Sequence, residues 1–399
     1  MRIRVCDDVK DIADSWVKDI SDALDSADVA RMDSAKDEIS KLLNRKIAVE
    51  EKSDPHIHST EFDEIDVLVV DYDLLHLDGA GSRTTGEGVA RLARTYSTCG
   101  AIVVMNQYRS AQFDLGMRGH LESFADLNVA AELIGSTPLW RPVEPYAGTF
   151  NPTIWRPMPT LLSAARSLAE SLSGAGYDAP ICDLIGLDLE AATELSDTAF
   201  GFLSSKAQTA EDLRKVTLRG FLTQSLDPKI SESLIETMPD ELTNYAAFRI
   251  AKWLDRAVLR PMDVLIDVPH LIDRLPFVIL SDKSDVGDPE AWIKATLDPE
   301  NLLDWDLLSK YINERASSAL GRQVFNWYQL SRDSKIDDLQ DEYLEKENVR
   351  FHLAEDTSRF LPSEKLTQYR ADFHNFGDRR AIEKLSSITY GPQRRMRFG

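Results

Sequence analysis

The chain has 399 residues, 43% of them hydrophobic, with a formal net charge of -21 and a pI near 4.8. That length allows two or three domains with proper cores, and the acidic balance works against a nucleic-acid phosphate backbone, so DNA is not an expected partner. The three cysteines, Cys6, Cys99 and Cys182, are isolated; they suggest neither a disulfide framework nor a thiolate zinc site and read as small buried hydrophobes.

In chain order, "RIRVCDD" (2 to 8) reads as a short apolar strand closed by two acids. Val9, Ile12, Trp16, Val17, Ile20 and Leu24 then recur at helical spacing. "DVARMD" (28 to 33) predicts an edge strand, and Ser34 with Asp37 three residues later predicts the start of a second helix. "IDVLVVDYDLL" is a strand that breaks abruptly at Asp71, with Asp73 two positions on. "TTGEGVARLARTYSTC" sets Val89, Leu92, Ala93 and Tyr96 on one helical face, and "GAIVVMN" (100 to 106) is an uninterrupted apolar strand. Strand and helix in alternation specify an α/β fold, a doubly wound parallel sheet covered on both faces.

"ADLNVAAELIG" (125 to 135) fits either strand or short helix. The proline-rich run that follows predicts an irregular connector with a last strand around 153 to 155, and the helix from 160 to 176 ends at Gly174 and Gly176. A boundary is therefore expected near residue 180, giving a first domain over 1–180. From 187 to 399 helical patterns dominate, and Pro269 and Pro276 interrupt one run with loops and short elements. No apolar stretch has bilayer length and the N-terminus opens directly on a strand, so the expectation is a cytoplasmic protein without membrane contact.

The acids carry the chemistry. Ligands of doubly wound sheets gather at the carboxyl ends of the strands; Asp7 and Asp8 close the first strand, and Asp71 closes the strand after the second helix. One Asp at a strand end commonly begins a turn or caps a helix. Three on neighbouring strands repel one another and raise their pKa values unless a cation intervenes. Magnesium suits such a site, because it takes a few carboxylate oxygens and keeps waters that a phosphoryl oxygen can replace.

This pattern resembles the receiver domain of two-component response regulators over roughly residues 1 to 172. "RVCDD" stands where that family has an acidic pair, "DVLVVDYDL" where it has the phospho-accepting aspartate, and "GAIVVMN" as its fourth strand. The resemblance implies that Asp7, Asp8 and Asp71 hold Mg2+ with the backbone carbonyl of Asp73, and that Asp71 receives the phosphoryl group. It also implies a Ser or Thr at the end of the fourth strand, where this chain has Met105 and Asn106, and a Lys-Pro pair after the fifth. For that pair Arg156-Pro157 is the candidate, with Arg141-Pro142 competing. Arginine brings the charge with a different reach.

The expected function is an atypical response regulator working through protein contacts, or as a phosphate sink, in a bacterial phosphorelay or defence system. It has at most slow autodephosphorylation. Its expected partners are a histidine kinase or phosphotransfer protein, and another protein bound by the helical half. "DYDLL" also resembles the D-x-D pair of haloacid-dehalogenase-like phosphatases, with Asp71 as nucleophile and Asp73 as acid. His56, His58 and His76 offer a weaker transition-metal arrangement, and the basic tail with Arg394, Arg395 and Arg397 reads as a solvated end.

Overall fold

The computed structural model describes residues 1–24, 26–74, 84–106, 112–113, 121–143, 149–281, 283, 285–345, 350–369 and 380–391. Its first part alternates β1 (Arg2–Cys6), α1 (Lys10–Ala23), β2 (Asp28–Arg31), α2 (Ala35–Glu51), β3 (Val67–Asp71), α3 (Gly86–Tyr96) and β4 (Ala101–Asn106). The short β5 (Gln112–Phe113), β6 (Leu127–Ala130), a four-residue α4 (Thr137–Trp140) and α5 (Met158–Ala175) follow. The main sheet has the order β2-β1-β3-β4-β6, with every pairing parallel. Its direction of winding reverses between β1 and β3, which makes the carboxyl ends of those two strands the natural crevice.

Alternate residues of each strand face opposite layers. Ile3, Val5, Val67, Val69 and Val103 pack with Trp16 of α1 and Leu161 of α5, whereas Leu68, Val70, Ile102 and Val104 pack with Leu42 of α2 and Val89 of α3. Both faces are buried, so the strands read as continuous apolar runs.

Two expectations from the sequence are corrected. The last strand is β6, inside the stretch that fitted strand or helix equally, and not 153 to 155. Four residues are too few to display a period, and Thr153 instead donates its N–H to the carbonyl of Glu355 at 2.9 Å. The second half also holds strands the pattern did not disclose: Phe351–Ala354 and Arg359–Pro362 form an antiparallel pair, and Leu265–Asp267 pairs with Val324–Asn326. These strands are three or four residues long, below the length at which alternation is legible.

The second half is otherwise helical, and it does not stand apart. Among the described residues no helix lies between β4 and β6; the helix Pro239–Trp253, continued by a π-helical turn over Leu254–Leu259, packs instead against α3 and α5. Lys252 reaches the Ser123 and Ala125 carbonyls at 2.9 and 2.6 Å, Arg249 also reaches Ser123, and Arg256 donates to the Asp126 carbonyl. One apolar cluster runs without a break from Leu68 and Val89 through Leu168 to Phe221 and Trp253, across the boundary expected near residue 180. Among the described residues no helix is long and apolar enough to cross a membrane.

Candidate metal centre

The register of the sheet builds the acidic site. Cys6 of β1 lies opposite Val70 of β3, so one further step along each strand sets Asp7 beside Asp71. Strand alternation turns both toward the layer of α1, the side that also receives Met105, whose Cα partner in β4 is Asp71. Asp8 follows at the turn into α1. Carboxylate oxygens of Asp7, Asp8 and Asp71 all lie within 4.8 Å of one another, the one group of this kind among the described residues.

Burial makes the gathering costly. Asp71 is 0% exposed and Asp7 7%. The Asp7 carboxyl is pushed up to about 6, chiefly by burial, with the Val9 N–H opposing and the neighbouring Asp8 charge adding to the rise. Cys6, directly before the pair, reports the same field: burial and then the charges of Asp7, Asp71 and Asp8 raise its thiol to about 12. Asp7 Oδ1 accepts the Val9 N–H at 2.7 Å, and its Oδ2 is buried and receives no N–H or O–H from the described residues.

This donor set fits a hard divalent cation. It consists of oxygen atoms, and a spread within 4.8 Å matches the octahedron of a small ion, whose cis and trans ligands at about 2.1 Å from the metal stand roughly 3 and 4.2 Å apart.

The loop beyond Asp71 is fixed by α3. Asp73 bridges Thr85 in antiparallel fashion, and the Gly86 N–H bonds the Tyr72 carbonyl at 2.9 Å. A Cβ on Gly86 would sit 2.1 Å from the Asp71 carbonyl oxygen, so the first turn of α3 rests directly on the acidic strand end. The role of Gly86 is this close approach, which residue spacing alone does not reveal. Asp73 is half-buried, and its carboxylate is not one of the three that converge.

The arginine candidates lie elsewhere. β6 runs into Ala131 and Glu132, so neither arginine stands at the end of the fifth strand of the sheet. Arg156 is buried and donates to the Leu320 carbonyl at 2.8 Å, near Asp255 and Asp126. Asp126 immediately precedes β6, which puts Arg156 at the amino edge of the sheet, opposite the acids. The expectation that Arg156 replaces the family's lysine is therefore corrected: the connector after β6 carries the chain back across the sheet before α5 begins. Arg141 follows α4, eleven residues beyond the end of β6.

Of the histidines, His56 contacts the Thr237 carbonyl at 3.1 Å, and His56 and His58 join no metal-capable group among the described residues. His76 and the tail arginines Arg394, Arg395 and Arg397 lie outside the described residues, as does the side chain of Asn106. Compared with known families, curated proteins and solved structures, the chain matches none.

Proposed function

We propose that Asp7, Asp8 and Asp71 bind a divalent cation of the magnesium kind and that Asp71 is a phosphoryl acceptor, the chain acting in signalling as an atypical response regulator. The observation that carries this reading is the convergence of three carboxylates at the switch point of a five-stranded parallel sheet. In the transfer, one Asp71 oxygen attacks phosphorus of a phosphohistidine or acyl phosphate. The bond from phosphorus to the donor breaks, the donor atom keeps the electron pair, and Asp71 becomes an acyl phosphate. A bound cation would supply charge neutralisation to the phosphoryl oxygens. Asp7 and Asp8 serve as its ligands, and the Gly86 contact holds the Asp71 backbone in place.

A haloacid-dehalogenase-like reaction is less well supported, because its acid would have to be Asp73, whose carboxylate stands apart from the cluster. Partners in this reading are a phosphodonor protein at the acidic edge and a protein recognised by the helical half.

The test combines metal and label. Magnesium should raise the melting temperature of the wild type by mass action and leave Asp8→Ala unmoved. Acetyl phosphate with magnesium should label Asp71 and leave Asp71→Asn blank. Label that persists in Asp71→Asn, or a full magnesium response in Asp8→Ala, overturns the proposal. Multiple-turnover phosphate release would move the assignment to an enzyme.

A further inference from the structure

A second site lies far along the chain from the acids, where the connector 151–155 meets the second half. A cavity of about 370 Å3 opens there between Trp155, Val268, Leu353 and Phe360, with Leu297 at its mouth. Its size is that of small-molecule sites, which are mostly apolar with a few convergent polar groups. Leu297 is 62% exposed, a large apolar side chain left in water at the cavity rim.

The polar groups converge on one wall. Arg322 and Asp267 line the cavity, and Arg322 Nη1 donates to Asp267 at 3.0 Å and to the Thr153 carbonyl at 3.4 Å. That pair fixes the guanidinium by one nitrogen, and no bond from its Nε or Nη2 accompanies it among the described residues. Behind the wall Asp267 also binds His270, whose Nε2 meets Glu355 at 2.8 Å, while Arg380 approaches Glu355 and Arg260 approaches Asp255. Burial disfavours the imidazolium, but Asp267 and Glu355 outweigh it and raise His270 to about 9. The cluster therefore carries four cations, Arg260, His270, Arg322 and Arg380, against three carboxylates, Asp255, Asp267 and Glu355. Positive charge is left over, in a chain whose net charge is -21.

We infer that this cavity is a binding site for a small organic carboxylate with an apolar body, its carboxylate on the outer edge of Arg322 and its hydrocarbon against Trp155, Leu353 and Phe360. Arginine presents a planar fork that suits a carboxylate, and one anion offsets the surplus charge of the cluster. The site is independent of the acidic centre and of the function proposed for it.

The experiment uses the full chain and saturation-transfer NMR with two probes, phenylacetate and octanoate, each beside its primary amide. At least one acid should bind, its amide at least about tenfold more weakly. Arg322→Gln should abolish the difference. Thr296 lines the cavity beside Leu297, and Thr296→Trp, which fills the rim and leaves Arg322 in place, should abolish binding while keeping the wild-type circular dichroism spectrum. Absence of binding by both acids, equal binding of acid and amide, or binding that survives Thr296→Trp overturns the inference.

Discussion

Two residues govern how the sites are held. Gly86 admits no side chain, because a Cβ would meet the Asp71 carbonyl at 2.1 Å; Gly86→Ala forces either α3 or the end of β3 to move. We expect a loss of about 1–3 kcal/mol, the usual cost of overpacking, together with weaker acetyl phosphate labelling of Asp71, read by denaturant melts and radiolabel. His270 makes a pH-dependent contribution. Its pKa is raised from 6.5 to about 9 in the fold, so the stability it confers is complete below about pH 6.5 and is lost as pH rises through 9. The shift corresponds to roughly 3 kcal/mol. The difference in unfolding free energy between wild type and His270→Gln should therefore shrink across that window; a difference that stays flat from pH 6 to 9.5 removes the buried imidazolium from the account.

At the scale of elements, the helix Pro239–Trp253 is the unexpected member. It brings a row of cations to the backbone before β6: Lys252 is 5% exposed and bonded to two carbonyls. Burial and the nearby Arg256 and Arg249 charges set its pKa well below the ordinary lysine value. The sign is opposite to that of His270. A lysine depressed in the fold binds fewer protons than in the unfolded chain, so its contribution improves as pH rises toward 10.5. Against Lys252→Met, wild-type stability should gain with pH in that window, measured by urea melts. The helices up to β4 were legible in the sequence because they are long and periodic, β1, β3 and β4 because they are apolar runs, and the short β2 because it sits between two readable helices; the acids at the ends of β1 and β3 marked the candidate site. β6 and the strands after 350 were not, because two to four residues carry no period. The destination of Arg156 was not legible either: an Arg-Pro pair before a helix fits the local pattern, and only the path of the connector shows that it faces the wrong edge of the sheet. Nor did the helix Pro239–Trp253 announce where it packs, since its apolar residues record burial and name no partner.

At the scale of the whole molecule, the two halves share a core. A fragment ending at residue 180 would lack Phe221, Leu242, Tyr245, Ile250 and Trp253, all fully buried members of the cluster that covers one face of the sheet. We expect the 1–180 fragment to bind a dye for exposed apolar surface and to melt without cooperativity; a sharp calorimetric transition would show that the sheet and its own helices suffice. Buried cations also gather where the two halves meet: Arg94, Arg156, Arg249, Lys252 and Arg256 are each at most 8% exposed. The helix from the second half has a consequence for how the protein is made. Synthesis proceeds from the N-terminus at about 5–20 residues per second, so the 73 residues between 180 and 253 take roughly 4 to 15 s to follow. Throughout that interval one face of the nascent sheet has only part of its cover, from α2 and α3. Its acidic edge is translated before the helix Pro239–Trp253, so the site's residues exist well before the layer that completes one face of their sheet.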